Sequence, residues 1–75
     1  MEEYLIITFE ETTMALYMER ICKREKKEGR MIPLPKAIDA GCGLAWATRE
    51  RDEEVWKRFL ERENIAYERM VEVEL

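Results

Sequence analysis

The chain has 75 residues, with 13 Lys or Arg against 17 Asp or Glu for a net charge of −4, and no histidine. This length holds one small domain, residues 1 to 75. The acidic balance argues against nucleic acid and anionic membrane as partners, because phosphate contacts need a basic surface; two cysteines without histidine cannot build a four-ligand zinc site.

A hydrophobic fraction of 47% is ordinary for a folded domain, so disorder is not expected. The 40% of charged residues, with no Gln and a single Asn, resembles the composition of thermophile proteins and says nothing about function. No apolar run approaches the roughly 20 residues of a membrane helix. No leader pattern opens the chain, so the expected location is cytoplasmic.

The first element is "YLIITF", Tyr4 to Phe9, rich in the β-branched and aromatic residues that favour strands. A helix follows in "EETTMALYMERICKREKKEG". Thr12 or Thr13 is its expected cap, and Glu10 and Glu11 suit its positive end. Met14, Met18, Ile21 and Cys22 fall on one stripe. Gly29 is the expected C-terminal cap. The charges from Arg20 to Arg30 mix both signs and read as a solvated helix face.

"RMIPLP" is apolar but carries Pro33 and Pro35, which suits an edge strand or an extended segment. Lys36 to Gly43 reads as a loop, and "LAWATR", Leu44 to Arg49, as a third strand. Asp52 is placed to cap a second helix reaching Asn64, with Val55, Trp56, Phe59 and Leu60 as its apolar face. In "YERMVEVEL", Val71, Val73 and Leu75 alternate with Glu72 and Glu74, as in a half-buried strand whose glutamates guard an edge.

The order β-α-β-β-α-β predicts an α+β ferredoxin-like sandwich, a four-stranded antiparallel sheet with two helices on one face. Strands two and four then lie at the edges. The expected core is Leu5, Ile7, Phe9, Met14, Met18, Ile21, Val55, Phe59, Val71 and Val73. Tyr4, Ile6 and Met70 are expected on the open sheet face, where they would favour self-association as a homodimer.

One local pattern asks for chemistry. Cys42 stands between Gly41 and Gly43 in a chain with three glycines. The expected topology brings this loop to the end of the sheet where the first helix begins, near the amides of Thr12 and Thr13. A helix N-terminus favours an anion there, and so the reactive thiolate. The glycines could clear space around the sulfur and aim backbone donors at it. The bland alternative is a tight loop with Cys42 as filler. Cys22, on the helical stripe, reads as core and too distant for a disulfide with Cys42.

Trp46 and Trp56 read as packing residues. The third strand lacks the basic-glycine-aromatic signature of RNA-binding sheets. No Ser-His-Asp set, Cys-His pair or phosphate-binding glycine loop supports hydrolase or kinase chemistry.

The segments "YLIITFEETTMALYMER", "GRMIPLPKAIDAGCGLAW" and "IAYERMVEVEL" together resemble a family of small bacterial and archaeal Se/S carrier protein-like sequences. The most specific part is Ile32-Pro33-Leu34-Pro35 followed by Ala40-Gly41-Cys42-Gly43-Leu44. The resemblance implies a sulfur or selenium carrier of the TusA/SirA type, with the cargo held on Cys42 as a persulfide or selenide. It implies donor and acceptor proteins as partners, no metal or cofactor, and a carrier protein rather than a classical enzyme. Gly41 and Gly43 carry over as loop-forming neighbours. The competing expectation is a non-catalytic binding or regulatory module whose 36–43 loop recognises a partner or a small anion.

Overall fold

The computed structural model describes residues 1–39 and 41–75. The elements run β1 (Glu3–Thr8), α1 (Thr12–Arg24), β2 (Arg30–Pro33), β3 (Leu44–Thr48), α2 (Glu53–Arg62) and β4 (Arg69–Glu74). One antiparallel sheet has the order β2-β3-β1-β4, so β1 is central and β2 and β4 are the edges. The fold is the α+β ferredoxin-like sandwich that the element order predicts. No helix among the described residues is long and apolar enough to cross a membrane.

Alternation along β1 divides the apolar residues between two layers. Leu5, Ile7 and Phe9 face the helices. They pack with Trp46 against Ala15, Met18, Ile21 and Cys22 of α1 and Trp56, Phe59 and Leu60 of α2. Ile6 faces the other way and forms a second cluster with Ala45, Ala47 and Ile38, bordered by Tyr4, Ile32, Leu34, Val71 and Val73.

Register corrects the expected placement of β4. Ile6 pairs with Val71 and Ile7 with Met70. Residues directly opposite in an antiparallel pair share a face. Met70 therefore packs on the helix-side core, while Val71 and Val73 lie half-buried on the open face. Glu72 and Glu74 share the helix side with Leu5 and Glu3 but stay exposed at the edge, where Arg51 pairs with Glu3 and Glu72.

The helix ends give a mixed result. Asp52 caps α2 as expected, accepting from the amides of Glu54 at 3.1 Å and Val55 at 3.4 Å. Asn64, just past the helix, takes a left-handed φ of 56°, a conformation its short polar side chain tolerates. Val55 is exposed rather than part of the core, because it lies off the stripe of Trp56, Phe59 and Leu60. Neither threonine caps α1. Glu11 is the N-cap residue and makes no side-chain cap hydrogen bond, and Thr12 and Thr13 are the first helical residues. At the far end α1 stops at Arg24 with Glu25 as its C-cap, so Gly29 is not the cap, and Lys26 follows at a left-handed φ of 55°.

Candidate functional site

The β2–β3 connection starts with a turn in which the Ile38 amide donates to the Pro35 carbonyl at 2.9 Å. Ile38, 6% exposed, then drops onto the open sheet face against Ile6, Ala45 and Ala47. Hydrophobic burial of this one side chain folds the loop back over the sheet. Ala40 lies outside the described residues. The Leu34 amide donates to the Gly43 carbonyl at 2.9 Å and closes the loop above the β2–β3 ladder.

Three hydrogen bonds pin the segment around Cys42. The Arg69 guanidinium donates to the Asp39 carbonyl at 2.8 Å. The Gly41 amide donates to the Glu68 carboxylate at 3.2 Å. The Cys42 amide donates to the Phe9 carbonyl at 3.0 Å. The loop thus meets Phe9 and Glu10, the residues that lead into α1. Among the described residues its hydrogen bonds do not reach Thr12 or Thr13, which open the helix a few residues further on. The amides of Gly41 and Cys42 are engaged inside the chain.

The two flanking glycines have different physical reasons. A Cβ on Gly41 would lie 2.5 Å from the Phe9 carbonyl oxygen and 2.7 Å from the Glu10 Cα, both backbone atoms that cannot rotate away. Gly43 has open space around it but a φ of +82°, where a side chain is strained. Gly41→Ala is expected to displace the loop and lose the Cys42–Phe9 hydrogen bond. Gly43→Ala is expected to cost only about 1 kcal/mol with the loop retained. Amide hydrogen exchange at Cys42 separates the two; equal protection in both variants would refute this account.

The two thiols differ in setting. Both are free; Cys22 is buried and Cys42 is half-buried. The Cys42 Sγ lies 3.8 Å from the Leu44 carbonyl and packs at the margin of the helix-side core. Desolvation pushes the Cys22 thiol from 9.0 up to about 12, with nearby Lys27 pulling weakly the other way. Below pH 9 both folded and unfolded chains hold this proton. Between 9 and 12 only the unfolded chain releases it, so native stability falls as pH rises through that window. Denaturant titrations should show a shallower alkaline loss in Cys22→Ala than in wild type; an identical slope would sink the assignment.

Residue order alone left Glu68, Arg69, Phe9 and Ile38 without a role in the loop. The acceptor on Glu68 is 27 residues from Gly41, and no local pattern marks such a pair. Beyond the loop, Glu10, Glu11, Met14, Ala66 and Tyr67 line a cavity of about 170 Å³ at the same end of the sheet.

Fold and site together define a small ferredoxin-like domain with one half-exposed thiol on a loop anchored to its own sheet. Residues 4–72 match the family described as "Putative Se/S carrier protein-like", and the chain belongs to that family. No curated protein and no solved structure matches the chain.

Proposed function

We propose that Cys42 is a carrier thiol that accepts a sulfur or selenium atom from a donor protein and passes it to an acceptor. The observation that carries this reading is the contrast between the thiols: Cys22 is fully buried, and Cys42 is half-buried on a loop. Membership of the Se/S carrier-like family supports it.

The chemistry asks little else of the protein. The Cys42 thiolate attacks the outer sulfur of a donor persulfide. The donor's S–S bond breaks as the new S–S bond forms, and the donor leaves as a thiolate that takes up a proton. An acceptor nucleophile then removes the same outer sulfur and regenerates the Cys42 thiolate. No external oxidant or reductant is consumed. With selenium as cargo, the outer atom changes and the balance does not.

Gly41 and Gly43 would hold the loop in shape, and the backbone at Thr12 and Thr13 would favour negative charge at that end. Loading from a cysteine desulfurase and free cysteine, read by intact mass, tests the proposal. If Cys42 takes no cargo, the 36–43 loop becomes a recognition surface for a partner or a small anion.

Self-association is part of the same proposal. The open sheet face, with Tyr4, Ile32, Leu34, Val71 and Val73 half-buried around Ile6, is where two copies would meet. Light scattering at high micromolar concentration is expected to give a dimer mass. A monomer there would remove this element without touching the carrier chemistry.

A further inference from the structure

A second feature lies at the other end of β2 from the Cys42 loop. A cleft of about 260 Å³ between the C-terminal half of α1 and the start of β2 is lined by Glu19, Lys23, Lys27, Gly29, Arg30 and Trp46, among others. Three cations face one carboxylate there, in a chain of net charge −4. Among the described residues none of Lys23, Lys27 and Arg30 forms an ion pair. Lys27 lines the cleft, and its ammonium stands over the rings of Trp56 at 4.9 Å and Phe59 at 5.0 Å.

An independent observation concerns Trp46. It is 3% exposed, and among the described residues its Nε1 is the buried side-chain polar atom without a hydrogen-bond partner. Buried polar groups are normally paired, so an orphaned N–H calls for an explanation. The indole edge carrying Nε1 stands against Gly29, which lines the same cleft: a Cβ there would come within 2.6 Å of Nε1. The Gly29 backbone, at a φ of +133°, lies against this donor.

The site has surplus positive charge and a donor lacking an acceptor. A small anion with several acceptor oxygens meets both needs. We propose that the cleft binds a tetrahedral oxyanion of the phosphate or sulfate class. Lys23, Lys27 and Arg30 supply the charge, and the Trp46 indole N–H supplies the directional hydrogen bond after a small shift of the Gly29 backbone. Glu19 and the negative end of α1 oppose binding, so the cations dominate the affinity. The site is separate from Cys42, and its fate does not depend on the carrier reading.

Indole resonances of the ¹⁵N-labelled protein give the test. Trp56 is an internal reference, because its Nε1 already donates to the Glu50 carbonyl at 2.8 Å. Sodium phosphate and sodium sulfate are titrated separately against sodium chloride at matched ionic strength and constant pH. The Trp46 indole signal is expected to shift saturably with both oxyanions while the Trp56 signal stays. Lys23→Gln and Arg30→Gln, both at exposed positions, should each weaken the apparent affinity about tenfold. Lys36→Gln, at the loop end, should leave it unchanged. An unmoved Trp46 signal, an equal shift in chloride, or equal weakening by Lys36→Gln would overturn the proposal. So would a shift that survives both cleft substitutions.

Discussion

Cys42→Ala is expected to abolish sulfur loading, while Cys22→Ala leaves it intact. Wild-type protein incubated with a cysteine desulfurase and cysteine should gain the mass of one sulfur atom, removable by a thiol reductant. The reason is access combined with ionisation. The thiolate is the attacking form, and Cys22 is both fully buried and pushed up to about 12, so at neutral pH it offers almost none. Iodoacetamide labelling with peptide mapping should follow the same order: Cys42 in the native protein, Cys22 only after unfolding. Native labelling of Cys22 ahead of Cys42 would reverse the assignment of the reactive thiol. Labelling of Cys42 without any sulfur adduct would keep the accessible thiol and remove the carrier function, which leaves the binding-module reading.

The largest expected loss of stability is at Trp56. It is fully buried, its ring meets Phe59 edge-on with centroids 5.7 Å apart, Lys27 lies over it, and its N–H is bonded to the Glu50 carbonyl. Trp56→Ala removes this packing and leaves a cavity, at a cost of about 3–5 kcal/mol. A domain of this size has a total stability of roughly 4–11 kcal/mol. The variant should therefore be largely unfolded or melt far below wild type. Val55→Ala, one position earlier but exposed, should lose less than about 0.5 kcal/mol. Urea midpoints for the pair decide the matter, and comparable losses would show that α2 is held by something other than its buried stripe.

Much of the fold could be read from residue order because the signals are local. The alternation in Tyr4 to Phe9, the stripe of Met18, Ile21 and Cys22, the Asp52 cap and the prolines in and just after the second strand each act within a few residues. A sheet edge that tolerates proline and a buried Cys22 follow directly from those patterns. The Gly-Cys-Gly segment was also visible, as was its place at the end of the sheet where α1 begins. The face on which β4 buries its valines is not a local property. The alternation in β4 says that Val71 and Val73 share a face but not which one; the pairing of Val71 with Ile6 puts them away from the helices.

Element order, the antiparallel sandwich, the buried cysteine and the loop that carries the other one are all written in local patterns. Hydrophobic period and the Asp52 cap are short-range properties and agree with the fold, whereas the caps of α1 fall at Glu11 and Glu25 rather than at Thr12, Thr13 or Gly29. How the Cys42 loop is held depends on contacts made between distant segments. Its anchors come from Phe9, Glu68, Arg69 and the apolar face under Ile38, which approach it only when β1 and β4 pair and the β2–β3 connection folds back over the sheet. The tertiary structure also gave Gly41 its reason, because the Phe9–Glu10 backbone excludes a side chain there. Such contacts depend on register between segments far apart in the chain, and register is set by the packing of whole faces rather than by any single residue.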